Sequence, residues 1–207
     1  MMSAALAVAS RLVCGANVEW RCPCRSAGQR IYFANHASHL DFIVIWAALP
    51  SDRRGLARPV AGQDYWERGP VRRYFSRRVF NAVLIERNTA GTQDVAAAAR
   101  RSIQRMSDEM GARHSLIVFP EGTRSVTGEI ASFKSGLYHL ARLRPDAELV
   151  PVHLENLNRI LPKGESLPVP MLSRLVFGAP LAVVETESKE EFLTRARVAL
   201  MQLGAVS

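Results

Sequence analysis

Apolar positions along the chain fall into short continuous runs separated by longer stretches of helical spacing. The runs at 30–34, 56–61, 82–85, 116–119, 149–154, 172–177 and 181–184 are bounded by Gly, Pro or polar residues and read as strands. Leu116-Ile117-Val118-Phe119 is apolar at every position, the pattern of a strand buried on both faces in a parallel sheet, and Pro120 stops it. Pro59 removes a donor from the 56–61 run, which predicts an edge or shortened strand. Helical spacing predicts helices at 4–14, 38–49, 92–110, 134–143 and 188–203. In 92–110 the residues Val95, Ala99, Ile103, Met106 and Met110 form one stripe, ended by Gly111. The 38–49 stretch is apolar almost all round, so it is expected buried in protein or partly in lipid, and Pro50 ends it. Residues 15–28, with Gly15, Pro23 and Gly28, read as a loop, as does the Pro-rich 155–170 stretch. Strands alternating with helices predict an α/β fold: a single domain with a central mixed, largely parallel sheet flanked by helices.

Composition narrows this picture. With 207 residues, 48% apolar and 22% charged, the chain fits one globular domain rather than a disordered one. The net charge of +8 favours an anionic partner. The cations are mostly Arg, suited to bidentate phosphate contacts, with Lys only at 134, 163 and 189. Three cysteines (Cys14, Cys22 and Cys24) do not make a disulfide framework, and Cys22-Pro23-Cys24 lacks the second pair that a closed zinc site needs. No stretch approaches the ~20 apolar residues of a membrane span. Residues 1–13 lack the positive n-region of a signal peptide and read as a surface-seeking helix. After Pro70, which suits the first turn of a helix, Val71, Tyr74, Phe75 and Val79 share a face, with Arg73 and Arg77 opposite. Such a segment lies either on an anionic membrane surface or on the core with a solvated basic back. The basic residues come with no recognition motif or aromatic stacking platform, so nucleic acid is not the expected partner.

Candidate chemistry concentrates in Asn35-His36-Ala37-Ser38-His39-Leu40-Asp41, between a strand and a helix. On one continuous helix His36 and Asp41 would lie about 140° apart and hardly touch. With Ser38 as N-cap, His36 instead lies in the preceding turn and Asp41 at the third helical position. Asp41 could then accept from a cap N–H and from the imidazole together, giving an oriented base. Read alone, the same residues also describe an ordinary cap beside a turn histidine. A second stretch, Phe119-Pro120-Glu121-Gly122-Thr123-Arg124-Ser125, follows an apolar strand, where open α/β sheets place ligands. Gly122 permits a sharp turn or a close approach, Thr123 and Ser125 bring hydroxyls, and Arg124 brings a five-donor fork. Glu121 does not suit an anion; it would brace Arg124 or Arg87, or bind a substrate hydroxyl. Arg87 follows the 82–85 run and so aims at the same sheet edge. Lys134 and Gly136 head a helix, and Lys134 reads as a surface lysine with an anion contact as the alternative. His39, His114, His139 and His153 lack partners at useful spacing and read as structural or surface residues.

These stretches together resemble the glycerolipid acyltransferases, the 1-acyl-sn-glycerol-3-phosphate and lysophospholipid acyltransferases among them. His36 to Asp41 is similar to their His-x4-Asp motif, and Phe119 to Ser125 resembles their third motif nearly residue for residue. Val83-Leu84-Ile85-Glu86-Arg87 is similar to the second, except that Asn81 stands at an opening position normally held by Gly. Val150-Pro151-Val152 resembles the fourth. The resemblance runs over about residues 30–155 and implies a glycerolphosphate acyltransferase-like fold. It divides the chain into an N-terminal helix and loop (1–29) with membrane contact and an acyltransferase domain (30–207).

The resemblance implies that His36 is the general base and Asp41 its orienting partner, and that Arg87, Glu121, Gly122, Thr123 and Arg124 bind the acceptor. The reaction would move an acyl group from acyl-CoA or acyl carrier protein to a lysophospholipid hydroxyl, with 1-acyl-glycerol-3-phosphate giving phosphatidic acid. Neither metal nor tightly bound cofactor is implied. The alternatives are another lysophospholipid acceptor, a thioester hydrolase of the same fold, or a non-catalytic binder of anionic lipid. Acceptor and product both live in a bilayer, so the expected location is peripheral, on the cytoplasmic face of a membrane. Residues 1–14, the Arg72–Arg78 segment and the apolar 40–49 helix are the expected contacts.

Overall fold

The computed structural model describes residues 15–21, 28–86, 94–125, 127–160 and 172–205. Among the described residues seven strands form one sheet: β1 (Ala16–Trp20), β2 (Arg30–Ala34), β3 (Ala57–Gly62), β4 (Val83–Ile85), β5 (Ser115–Val118), β6 (Glu148–Glu155) and β7 (Ser173–Phe177). Their order is β1-β7-β6-β2-β5-β3-β4. Every neighbouring pair is parallel except β6–β7, so the sheet is mixed and mostly parallel. The longer described helices are α1 (Asp41–Ala48), α2 (Val95–Met110), α3 (Gly136–Leu143) and α4 (Lys189–Ala205). The α/β domain expected from alternating strands and helices is therefore the one observed.

The period-2 alternation of the central strands divides the core in two. Tyr32 and Ala34 of β2, Ile117 of β5, and Val150 and Val152 of β6 face α1. Ile31, Phe33, Leu116, Val118 and Leu149 face the other way, against Met106 and Met110 of α2, Leu137 and Leu140 of α3, and Phe192 and Leu200 of α4. All of β2 is buried, as a strand covered on both faces must be. Its carboxyl end lies beside that of β5, its parallel neighbour.

Several expectations need correction. Residues 15–28 are not wholly loop. Ala16, Val18 and Trp20 lie partly buried in β1, an edge strand paired with β7, and the Trp20 ring stacks on Phe177 at 3.8 Å. The sheet thus reaches into the segment before residue 30. The helix expected from Ser38 starts at Asp41, with Leu40 at the N-cap. It is largely buried in protein: Phe42 and Val44 to Leu49 are buried. Phe80 packs edge-on against both Phe42 and Trp46, closing the helix's outer side. Strand β3 is internal despite Pro59. Pairing with β5 covers Ala57 to Pro59 and pairing with β4 begins at Val60, so the missing N–H falls where the strand changes partners.

After Gly69 the chain makes a short helix (Pro70–Tyr74) and a π turn (Phe75–Val79). The regular face expected there is broken by this change of winding. Phe75 and Val79 pack on the core, while Val71 is 67% and Tyr74 48% exposed. The late run at 181–184 contributes only an isolated bridge, Leu181 to Leu149. Part of the 155–170 stretch is a helical turn, Leu157–Ile160. The expected N-terminal helix at 4–14, all three cysteines and Arg87 lie outside the described residues. Among the described residues, no helix is long and apolar enough to cross a membrane.

Candidate active site

The site begins where β2 ends. Asn35 extends the β2–β6 ladder with its side chain: its amide donates to the Leu154 carbonyl at 2.9 Å and its oxygen accepts from the Leu154 N–H at 2.8 Å. That anchors the start of the turn in the buried sheet. Within the turn, Asp41 Oδ2 accepts from the Ala37 N–H (2.7 Å), the Ser38 N–H (2.9 Å) and His36 Nδ1 (2.8 Å). Asp41 thus stands at the first helical position rather than the third, but its carboxylate still reaches back over the turn. The side chain is buried and its Oδ1 has no hydrogen-bond partner.

An ionised carboxylate is acceptor-only, so a neutral His36 must carry its proton on Nδ1 and leave Nε2 as the free base.

The loop after β5 holds the same histidine from the other side. The His36 N–H donates to Glu121 Oε1 at 2.7 Å, and the His36 carbonyl accepts from the Ser125 N–H at 2.7 Å. The ring stacks on Phe119, with centroids 4.2 Å apart and planes inclined by 21°. Glu121 is 3% exposed, and its other oxygen accepts from the Ala131 N–H at 2.9 Å. Burial raises the Glu121 carboxyl above its ordinary pKa, with the two backbone donors opposing that shift. This carboxylate braces the His36 backbone rather than the Arg124 side chain proposed for it from sequence; Arg87, the other proposed partner, lies outside the described residues. Nothing in the residue types shows that exchange, because it needs β2 and β5 to be neighbours.

Gly122 takes a left-handed φ of +71°, open to glycine at little cost. A Cβ there would stand 2.7 Å from Lys134 Nζ. Arg124 turns back towards the protein, and its Nη1 is buried without a hydrogen-bond partner. Thr123 is exposed and stands apart from these groups, while the Ser125 hydroxyl accepts from the Gly128 N–H at 3.0 Å. Asn81, the departure from the second motif's glycine, has φ +47°. Asn tolerates this region better than most residues other than Gly.

His36, Gly122, Arg124 and Lys134 open onto one cavity of about 250 Å³. Its remaining walls are largely apolar, among them Phe42, Val60, Trp66, Met106, Leu137 and Leu140. His39, read as structural or surface, also lines it and stacks on Tyr65 at 4.7 Å. The Arg72 guanidinium covers Tyr65 at 4.2 Å. The arrangement joins an oriented imidazole, two cations and an apolar chamber. The structure brings together His36, Asp41, Gly122, Glu121 and Arg124. It sets Thr123 apart, and it adds Lys134, which is exposed, as expected of a surface lysine, and also lines the cavity.

The chain is similar to known proteins. A family model described as "Acyltransferase" matches residues 17–155. A 1-acyl-sn-glycerol-3-phosphate acyltransferase of Limnanthes alba is 34% identical over 143 residues, 65% of this chain and 43% of that protein. The Cocos nucifera protein of the same description is 31% identical over 60% of this chain and 36% of its own. That of Salmonella typhimurium is 27% identical over 69% and 54%. The chain spans about half the length, or less, of these curated relatives. The crystal structure of a 1-acyl-sn-glycerophosphate acyltransferase from Thermotoga maritima superposes with a TM-score of 0.73 at 20% identity, covering 99% of this chain and 78% of that one, a likeness of fold.

Proposed function

This chain belongs to the acyltransferase family, and from that premise we propose that it moves an acyl group from an acyl thioester to the free hydroxyl of 1-acyl-glycerol-3-phosphate, giving phosphatidic acid. The observation that carries the reading is the His36–Asp41 pair. The carboxylate fixes Nδ1, which leaves Nε2 free on a ring that lines a cavity also lined by Arg124, whose Nη1 is unpaired. Nε2 takes the acceptor's hydroxyl proton as that oxygen attacks the thioester carbonyl. The tetrahedral oxyanion collapses, the C–S bond breaks, and the departing thiolate recovers the proton from the imidazolium. Asp41 stays ionised and stabilises that imidazolium. Arg124 meets the acceptor's phosphate through charge-assisted hydrogen bonds. The apolar walls receive an acyl chain. The thioester carrier is either coenzyme A or acyl carrier protein.

In this reading the protein works peripherally at the cytoplasmic face of a membrane. The Pro70–Val79 segment supports this, because exposed Val71 and Tyr74 sit among exposed Arg72, Arg73, Arg77 and Arg78. The test is thiol release from acyl-CoA and from acyl-acyl carrier protein, measured with and without 1-acyl-glycerol-3-phosphate. Release that needs the acceptor and yields phosphatidic acid supports the proposal. Release without acceptor makes the protein a hydrolase. Vesicle binding with no release from either donor makes it a lipid binder.

A further inference from the structure

Resting on that reading, we propose that Lys134 is the second cation of a seat for a phosphate monoester, completing what Arg124 begins. Sequence spacing sets the two residues ten positions apart, on a loop and at the head of α3. The fold closes that gap. The Lys134 N–H donates to the Pro120 carbonyl at 2.9 Å, which ties its backbone to the loop that carries Arg124. Its side chain then runs across Gly122. Nζ, Cε and Cδ stand 2.7, 2.9 and 3.0 Å from where a Cβ on residue 122 would be. Glycine at 122 therefore does two things: it permits the left-handed turn, and it leaves the space that the lysine occupies. Both cations line the cavity that holds the His36 ring.

Among the described residues, neither cation has an ion-pair partner, and Arg124 Nη1 is buried without a hydrogen-bond partner. The adjacent acid, Glu121, spends both oxygens on the backbone N–H groups of His36 and Ala131. Two cations without ion-pair partners among the described residues, on one small cavity, suit a dianionic ligand. A phosphate monoester carries about −1.5 to −2 at pH 7. A phosphodiester headgroup carries one charge fewer, so the seat selects monoester acceptors over headgroup-substituted lysophospholipids. The donor's coenzyme A also bears a phosphate monoester, and the same seat chemistry would hold it.

The experiment compares wild type with Lys134→Met, which keeps length and removes charge, and with Lys134→Arg, which restores charge. Lys134 is exposed, so both variants should fold as wild type does. Glycerol 3-phosphate serves as probe in a calorimetric or NMR titration, and apparent KM is measured separately for 1-acyl-glycerol-3-phosphate and for acyl-CoA. The expected result is binding of glycerol 3-phosphate about tenfold weaker in Lys134→Met, from loss of one charged hydrogen bond, with recovery in Lys134→Arg. A KM rise confined to the acceptor assigns the seat to the acceptor; one confined to acyl-CoA assigns it to the donor. If glycerol 3-phosphate binding depends on Lys134 while wild type transfers no acyl group, the seat stands and the acyltransferase reading falls. Equal glycerol 3-phosphate binding by wild type and Lys134→Met overturns the seat, whatever the turnover.

Discussion

Replacing Glu121 by Gln separates a brace from a substrate ligand. In the structure both carboxylate oxygens accept from backbone N–H groups, His36 at 2.7 Å and Ala131 at 2.9 Å, in a side chain only 3% exposed. A hydrogen bond to a buried charged acceptor contributes about 1.5–3 kcal/mol. Glutamine keeps one oxygen for one of these donors and turns an NH₂ against the other. The expected cost is therefore one such bond, about 2 kcal/mol. For a chain of this size that lowers the thermal midpoint by about 4–8 °C. The His36 backbone loses its hold at the same time, and a shift of about 1 Å in a catalytic group can cost roughly 10² in rate. Acyl-transfer kinetics should show kcat down about 10²-fold with the acceptor KM unmoved.

The pH dependence gives a second readout of the same substitution. Burial raises the Glu121 carboxyl above 4.5, so just above that pH the native state holds more protons than the unfolded chain. Wild-type stability contributed by this group is full below 4.5 and declines as pH rises through the raised value. Glutamine does not titrate, so this decline is absent from Glu121→Gln. A Glu121→Gln protein with wild-type midpoint and kcat, or one altered only in acceptor KM, refutes the brace and returns Glu121 to the substrate.

Two further predictions follow from the described geometry. Asn81→Gly should leave the unfolding free energy nearly unchanged, whereas Asn81→Val should lower it by about 1–2 kcal/mol in denaturant titration, because φ at +47° excludes a β-branched side chain. Replacing both Val71 and Tyr74 by Ser should weaken sedimentation with anionic vesicles by about tenfold while leaving the thermal midpoint unchanged, since both side chains are exposed; unchanged vesicle binding places the membrane contact elsewhere.

Local chemistry was readable wherever one stretch contained the whole cause. The run at 116–119 reads as a buried strand because every position is apolar, and the stretch from Asn35 to Asp41 permits a pairing of acid and imidazole, beside the ordinary cap reading, once a turn precedes the helix, since residues five apart on one helix hardly touch. Both appear in the structure, although Asp41 reaches its partners from the first helical position. What depended on distant partners was not readable. Strand β1 exists because β7, far along the chain, offers it an edge and Phe177 offers Trp20 a stacking face. The role of Glu121 depends on β5 lying beside β2, and the position of Lys134 on a hydrogen bond to the Pro120 carbonyl. The apolar face expected around Val71 and Tyr74 presumed α-helical winding, and the π turn at Phe75–Val79 broke it. Asn81, at a motif position normally held by Gly, takes a positive φ, a conformation open to glycine as well.

The account turns on His36 as the base. The most direct measurement is the initial rate of phosphatidic acid formation from an acyl thioester and 1-acyl-glycerol-3-phosphate, comparing wild type with His36→Ala at saturating substrates. A base positioned at Nε2 supplies roughly 10²–10⁴-fold, and His36→Ala should lose at least that much in kcat with the fold intact by circular dichroism. A folded His36→Ala protein that turns over at the wild-type rate would contradict the account.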